Sequence, residues 1–222
     1  AIEFESQDAT VPTSGVSTAI KAFSASSTGG SYLTLSTTDI NTSTLDERMR
    51  IDSSGNLLVG TTTSPSDTNA IVASGGVYLG GTGSANKLED YEEGTWTPVL
   101  VGLTTAGDYT VTSTNATYTK VGQVVHVAAR MTITVNSAGT GLAKFGGLPF
   151  TSAGASVGVG PVRTKNISFP ASSAYATIIL FTSNTTDFSL SYTKDNANVE
   201  TLDVSSITSA DFIEFSMTYQ TT

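Results

Sequence analysis

The sequence has little charge, no cysteine and no long apolar run. Charged residues make up 13% of its 222 residues, about half of the share in an average globular protein. The absence of cysteine excludes a disulfide framework and any thiolate-bound metal. No segment reaches the roughly 18 consecutive apolar residues of a transmembrane helix, and no signal peptide is recognisable. We therefore expect no membrane insertion.

The charges that are present are mostly acidic, which gives a net charge of −9. A surface of that sign repels phosphate backbones, so nucleic acid is not an expected partner. The sequence contains neither a P-loop nor a dinucleotide-binding fingerprint, and we expect no cofactor. The chain begins with Ala1 rather than methionine, which we expect of a processed chain or of a fragment.

Serine, threonine, asparagine and 21 glycines take the place of charged residues. Serine and threonine suit the exposed faces of strands, and glycine and asparagine suit the turns between them. The composition therefore predicts an all-β protein. Apolar residues are sparse up to residue 86 and form longer alternating runs after residue 98, which indicates separate structural regions.

Residues 1–86 are predicted to form a β-rich shaft segment with one clear hairpin near residues 47–61. Apolar residues alternate on one face of both hairpin strands, namely Met49, Ile51, Leu57 and Val59. Gly55 and Asn56 lie between the strands and can take the positive φ that tight turns need. Side chains as small as those of this segment cannot build a core within one chain. Several copies around a shared axis would cover the apolar edges, so we expect self-assembly.

Residues 87–98 are predicted to form an acidic neck that ends near the only tryptophan, Trp96. Its carboxylates are those of Glu89, Asp90, Glu92 and Glu93. They could bind Ca²⁺ if several copies converged, but the segment lacks the alternating aspartates of a calcium loop. A solvated neck without metal is the favoured interpretation, and Trp96 is expected to pack rather than to present a sugar platform.

Residues 99–222 are predicted to form a C-terminal knob with a β-sandwich or jelly-roll-like fold. The clearest strand places Val125, Val127 and Ala129 on one face and polar residues on the other. From residue 95 onward about eight runs are typical of strands. These runs are residues 95–101, 109–112, 116–121, 123–135, 142–150, 156–169, 175–181 with 188–192, and 212–220.

Several segments resemble bacteriophage tail fibres. Residues 47–61, which read ERMRIDSSGNLLVGT, resemble a shaft motif of these proteins. Residues 88–98, which read LEDYEEGTWTP, resemble the entry to a C-terminal module found in many such fibres. Residues 118–127, 147–150 and 212–219 are similar to later parts of the same module, in the expected order.

The resemblance implies a homotrimeric fibre on the exterior of a phage particle, with an elongated shaft and a bulbous C-terminal domain. Other virion proteins would bind at its N-terminal side, and a bacterial surface glycan or protein would bind at the knob. Fibres of heads and collars use the same modules. A purely structural head, collar or decoration fibre is therefore the first alternative to a receptor-binding fibre.

The sequence gives little support for an enzyme. His126 is the only histidine, and no nucleophile elbow is present, so a catalytic triad is not expected. Paired carboxylates could form a polysaccharide depolymerase, which is the second alternative. The carboxylates considered for that role are those of Asp187, Asp195, Glu200, Asp203, Asp211 and Glu214. Their spacing in the sequence does not show which two of them would lie close enough to act together.

Three tyrosines are the predicted receptor contacts, since aromatic rings can stack on sugar rings and these residues lie near turns. They are Tyr109, Tyr175 and Tyr192. Loops at the end of a rigid scaffold commonly carry binding residues. We expect weak individual contacts that are strengthened when several knobs bind together.

Overall fold

The computed structural model describes residues 1–6, 15–27, 29–39, 42, 44–154, 158–167, 169, 175–179, 185–193, 199–209 and 211–221. The chain is all-β, with 59% of residues in strands and 3% in helices. It divides into two compact units, Ala1–Glu89 and Asp90–Thr222. The division falls within residues 87–98, the segment predicted as a neck. No helix in the described ranges has the length and apolarity needed to cross a membrane.

The first unit is built on a six-stranded sheet in which the strands follow one another in sequence order, β1-β2-β3-β4-β5-β6. All neighbouring strands pair antiparallel except β5 and β6, which are parallel. A separate antiparallel pair joins β7 and β8, around a short 3-10 helix, Ser84–Asn86. The strands are β1 Ile2–Ser6, β2 Gly15–Ser24, β3 Ser31–Thr38, β4 Leu45–Ile51, β5 Leu57–Val59, β6 Ile71–Ala73, β7 Val77–Tyr78 and β8 Lys87–Leu88.

The predicted hairpin is confirmed as β4 and β5. Met49 pairs with Val59 and Ile51 with Leu57, so all four apolar side chains share one face. Gly55 adopts the left-handed conformation, with φ 82°. The corresponding expectation for Asn56 is wrong. Asn56 is buried and holds the turn by side-chain hydrogen bonds instead of by a positive φ.

The second unit contains a five-stranded antiparallel sheet, ordered β15-β19-β12-β11-β9, and a four-stranded sheet, ordered β14-β16-β17-β18. A short pair joins β10 and β13. None of the sheets formed by the described residues is closed. A 3-10 turn, Val204–Ser206, precedes the last strand. The strands are β9 Tyr91–Thr95, β10 Val99–Gly102, β11 Asp108–Val121, β12 Val124–Ser137, β13 Ala143–Gly146, β14 Val159–Gly160, β15 Val162–Lys165, β16 Tyr175–Ile179, β17 Leu190–Thr193, β18 Val199–Thr201 and β19 Asp211–Gln220.

The core of the second unit lies under the inner face of the five-stranded sheet. The predicted alternation of β12 is confirmed, since Val125, Val127 and Ala129 are buried. Across the core, the rings of Phe188 and Phe215 lie 5.1 Å apart. This layered packing is consistent with a β-sandwich. Trp96 is also buried in this core, as expected, and its indole N–H donates to a backbone carbonyl.

Candidate functional site

The six-stranded sheet of the first unit carries a continuous apolar face. Strand pairing aligns its residues into two neighbouring rows, because directly paired residues of adjacent strands point to the same side of the sheet. We call this surface the apolar face. Its first row is Ile2, Ile20, Leu35, Met49, Val59 and Ala73. Its second row is Ala22, Leu33, Ile51, Leu57 and Ile71.

None of these eleven side chains is buried within the chain. Their larger members range in exposure from partly covered residues such as Met49 to Ile71, which is 75% exposed. Contiguous apolar surface of this kind is rare on proteins that remain single, and it marks an interaction site. Among the described residues of the first unit, only two apolar side chains are buried, those of Ala19 and Leu58. The part of the unit that the structure describes therefore has almost no apolar core.

The opposite face of the same sheet mixes polar and apolar residues, among them the buried Ala19 and Leu58, and its charged side chains are paired. The Lys21 ammonium pairs with the Glu3 carboxylate at 3.1 Å. The Arg50 guanidinium donates to Glu47 Oε2 at 2.7 Å and lies 4.8 Å from the centre of the Tyr32 ring. Long charged side chains can cover apolar surface with their methylene stems. The charges named here are therefore paired on the opposite face, whereas the two rows of the apolar face consist of apolar side chains.

The turn between β4 and β5 is fixed by the carboxylate of Asp52. Ser64 donates its hydroxyl at 2.6 Å, and Asn56 donates both its side-chain amide at 3.0 Å and its backbone N–H at 2.9 Å. These hydrogen bonds, with that of Ser64 the largest contribution, lower the pKa of Asp52 to about 2. Asn56 also donates to the Asp67 carbonyl and accepts from the Ala70 N–H. The conspicuous polar residues of the shaft-like motif therefore have a structural role.

The acidic residues of the predicted neck bind different partners. Glu89 pairs with Lys87, and Asp90 pairs with Lys120. Glu92 and Glu93 accept hydrogen bonds from tyrosine hydroxyls, and these bonds raise the pKa of both tyrosines, which are Tyr118 and Tyr91. No group of three potential metal ligands lies together in the described part of the chain. Residues 91–95 form strand β9 at the edge of the five-stranded sheet, so this part of the predicted neck belongs to the second unit.

The three predicted receptor tyrosines lie in unequal surroundings. Tyr109 is half-buried, and its hydroxyl oxygen accepts a hydrogen bond from the Gly139 N–H at 2.6 Å. Tyr192 is only 4% exposed, donates its hydroxyl to Glu200 and packs edge-on against Phe169. Its ring therefore offers no open face for a sugar. Tyr175 begins β16, and its side chain lies outside the described residues. Receptor contact by these residues stays a prediction.

The outer face of the five-stranded sheet is polar and cationic in places. The His126 imidazole is exposed there, with its Nδ1 atom 3.1 Å from the Thr218 hydroxyl. Arg130 and Arg163 lie over the ring of Phe212, at 4.5 and 5.3 Å from its centre. These two cations explain why Phe212 is buried although the strand alternation places it on the outer face.

The carboxylates that the sequence suggested for a depolymerase do not gather at a common partner. Asp203 accepts from the Ser205 hydroxyl and from the Ser205 backbone N–H, and these bonds, the hydroxyl's first, lower the pKa of Asp203. Glu214 pairs with Arg163. The remaining described carboxylates of this set are those of Asp187, paired with Lys144, Glu200, bonded to Tyr192, and Asp211, bonded to Thr208. Asp195 lies outside the described residues.

A cavity of about 290 Å³ opens between the residue that follows β10, the start of β13 and the chain segment before β17. One wall is apolar and consists of Leu103 and Leu142, which are 62% and 41% exposed. The other wall carries the Lys144 ammonium, which lies 2.7 Å from Asp187 Oδ2. The cavity is also lined by Ala143, Thr185, Phe188 and Ser189.

Sequence reasoning missed both the apolar face and this cavity. The hairpin signal identified four residues of the apolar face, but the weaker alternation of β1, β2 and β3 left the other strands unrecognised. The cavity unites Leu103, Leu142 and Asp187, which are far apart in the sequence. Only an alignment of the single apolar residues of neighbouring strands with one another could have indicated the full face.

Comparisons with protein-family models, with curated proteins and with solved structures find no match to this chain.

Proposed function

We propose that this chain is a structural and adhesion fibre protein of a bacteriophage particle, and that it assembles as a homotrimer through the apolar face. The exposure of that face is the observation that carries the proposal. One row of apolar side chains crosses six strands and a second row crosses five, while the chain buries only Ala19 and Leu58 among the described apolar residues of the same unit. A surface of this kind needs a partner.

Further copies of the same chain are the partner that we propose. A closed symmetric assembly covers the apolar face of every copy at once, whereas an unrelated partner would have to be supplied for each chain. The acidic net charge of −9 does not oppose this choice, because the paired charges Glu3 and Lys21 lie on the opposite face of the sheet. In the resulting particle, an elongated β-rich trimeric shaft is followed by a β-sandwich or jelly-roll-like knob.

The proposed role of the knob is to hold a bacterial surface, in particular a glycan, by contacts that three copies multiply. Three weak sites in one particle can raise the overall affinity by about 10²–10⁴ without any new contact. The N-terminal side of the chain attaches to other virion proteins in this account. The resemblance of residues 47–61 and 88–98 to fibre motifs supports the assignment.

Two experiments test the proposal. Gold-labelled antibody against the chain, imaged on the particles that the encoding genome produces, is expected to mark projecting fibres. Purified chain is expected to compete with those particles for adsorption to the host. Label on fibres without competition would indicate the purely structural alternative, and particles without any label would contradict the proposal.

A further inference from the structure

The cavity beside Lys144 has the composition of a sugar subsite. Its volume of about 290 Å³ is near the lower end of ligand pockets, at roughly 300 Å³, which suits a single sugar ring. Leu103 and Leu142 expose large apolar surfaces that contribute little to the core. Such a wall can cover the C–H face of a sugar, while polar groups opposite it bind the hydroxyls.

The polar wall is held in a fixed orientation. Asp187 Oδ2 accepts from the Lys144 ammonium at 2.7 Å and from the Thr185 hydroxyl at 2.7 Å. The Thr185 hydroxyl oxygen in turn accepts from the Asp187 backbone N–H at 3.1 Å. Gly146 leaves room for this carboxylate, because a Cβ atom there would lie 2.6 Å from Asp187 Oδ1.

The floor beneath these groups is rigid. Phe145 and Phe188 exchange two backbone hydrogen bonds, of 2.9 and 2.7 Å, and their rings are stacked with centres 5.4 Å apart. Both rings are buried. Rigid support of this kind keeps Lys144 and Asp187, which flank the two aromatic residues in sequence, in register with each other.

The donors and acceptors of Lys144 and Asp187 that remain available match two neighbouring hydroxyls of a sugar. An ammonium group has three donors, and Lys144 uses one of them on Asp187. In the described part of the chain Asp187 Oδ1 accepts no hydrogen bond, whereas Oδ2 accepts two. A donor and an acceptor therefore lie side by side, and each hydroxyl of a vicinal pair can use both.

We infer that this cavity binds one uncharged pyranose ring of a bacterial surface glycan, with its hydroxyls on Lys144 and Asp187 and its apolar face on Leu103 and Leu142. The ring is uncharged because the two charged groups neutralise each other at 2.7 Å. An acidic sugar would find no surplus positive charge and would face the Asp187 carboxylate. The inference rests on the proposed adhesion function and gives it a site and a ligand class.

Saturation-transfer difference NMR on the full chain tests the inference. The probes are the methyl glycosides of glucose, galactose, mannose and N-acetylglucosamine, with methyl glucuronide as the acidic comparison. At least one uncharged glycoside is expected to bind more tightly than the glucuronide. Asp187→Asn and Leu103→Ser are each expected to weaken that binding by at least roughly tenfold.

Two matched variants serve as controls. Glu214→Gln removes a carboxylate that, like that of Asp187, is paired with a basic side chain, and Val124→Ser removes an exposed apolar side chain. Both residues lie in the five-stranded sheet and do not line the cavity. Neither substitution is expected to change the affinity. Leu103 is largely exposed, so Leu103→Ser keeps the test valid even if Asp187→Asn disturbs the local fold.

Three results would overturn the inference: no glycoside binds, binding survives both cavity variants, or the glucuronide binds more tightly. An array of bacterial polysaccharides separates these failures from failure of the adhesion proposal. Equal binding of wild type and both cavity variants to the array would remove the site but keep adhesion. If the wild-type chain bound neither the array nor intact host cells, adhesion itself would be contradicted.

Discussion

At the scale of single residues, the shaft-like motif owes its turn to one carboxylate. Asp52 accepts hydrogen bonds from Ser64, Asn56 and Ser54. Asn56 is completely buried beside it and carries the same network on to Asp67 and to the residue before β6. A buried amide that lost these partners would leave unpaired polar groups, which explains why such a short polar run can order a turn.

The first prediction concerns the acid sensitivity of this turn. The pKa of Asp52 lies at about 2 in the fold, below the ordinary 3.8. Its carboxylate therefore stabilises the fold fully above pH 3.8, and this contribution is lost as the pH falls towards about 2. Asp52→Asn is expected to flatten the dependence of the melting temperature on pH across that interval. Asp46→Asn, which removes an exposed carboxylate on β4, is the control. An unchanged profile in Asp52→Asn would contradict the assignment.

The second prediction concerns Tyr219, which is buried in the core of the second unit. Its hydroxyl donates to the Phe150 carbonyl at 3.0 Å and accepts from the Phe150 N–H at 3.3 Å. Tyr219→Phe leaves these backbone groups without a partner and is expected to lower the free energy of unfolding by about 1–3 kcal/mol in urea titrations. Tyr91→Phe, at an exposed position, should change it by less than about 0.5 kcal/mol.

The same residue gives an alkaline signature. Burial raises the pKa of Tyr219 to about 12. The fold favours the neutral hydroxyl. Its contribution to the stability of the fold is therefore complete below the ordinary pKa of 10.0 and is lost as the pH rises towards about 12. In a titration followed by the ultraviolet absorbance of ionised tyrosine, the difference between wild type and Tyr219→Phe should therefore appear near pH 12. A difference centred near pH 10 would contradict the burial.

At the scale of elements, the sequence predicts best those strands that bury one face. The alternation in β12 and β19 located both strands to within two residues, because their inner residues supply most of the core. Proline explains two divided runs. Residues 95–101 contain Pro98, which lies between the end of β9 at Thr95 and the start of β10 at Val99, and residues 156–169 are divided at Pro161 between β14 and β15. Proline lacks the backbone N–H that pairs with a neighbouring strand, so it interrupts a strand. The alternation of apolar residues continues across it and does not show the interruption.

Other elements depend on contacts that a linear pattern does not contain. Residues 109–112 and 116–121, predicted as separate runs, form the single strand β11. An irregularity between Thr114 and Thr117, with Asn115 at φ 56°, lets pairing with β12 continue through the break. In the first unit, β2 and β3 alternate small residues with single apolar ones, so their strand signal is weak. Their position in the sheet depends on cross-strand partners.

The third prediction tests the β4–β5 hairpin as an element. Gly55 has φ 82°, and a Cβ atom there would lie 2.5 Å from Asn69 Oδ1. Gly55→Ala is expected to destabilise the first unit by at least about 1 kcal/mol and to speed proteolysis within the hairpin. Gly75→Ala is the control, because a Cβ atom at Gly75 meets nothing within 4 Å. Equal protease resistance of the two variants would contradict the turn geometry.

At the scale of the whole molecule, the two units differ in how they are stabilised. The second unit has a core of buried aromatic and aliphatic residues and satisfies the usual requirement for a domain that folds alone. The described residues of the first unit form a six-stranded sheet and place no layer against its apolar face. A single sheet with one uncovered apolar side must bury it against another element. Assembly supplies that element in our account.

The fourth prediction places charge on the apolar face. The double variant Leu33→Asp with Ile51→Asp puts two carboxylates at directly paired positions of that face. Burying unpaired charge costs several kcal/mol, so the concentration at which the assembly dissociates should rise by at least about 100-fold. Ser36→Asp, on the opposite face of the same sheet, should leave it unchanged. Sedimentation velocity over a dilution series measures both. Equal dissociation of the two variants would show that another surface holds the copies together.

The molar mass of the intact wild-type chain in solution, measured by light scattering after size exclusion at micromolar concentration, shows whether the copies assemble. We expect one species with three times the 22.8 kDa of a single chain, resistant to protease along residues 15–89. A folded, protease-resistant particle of 22.8 kDa would contradict it, because the apolar face would then be stable in water without a partner.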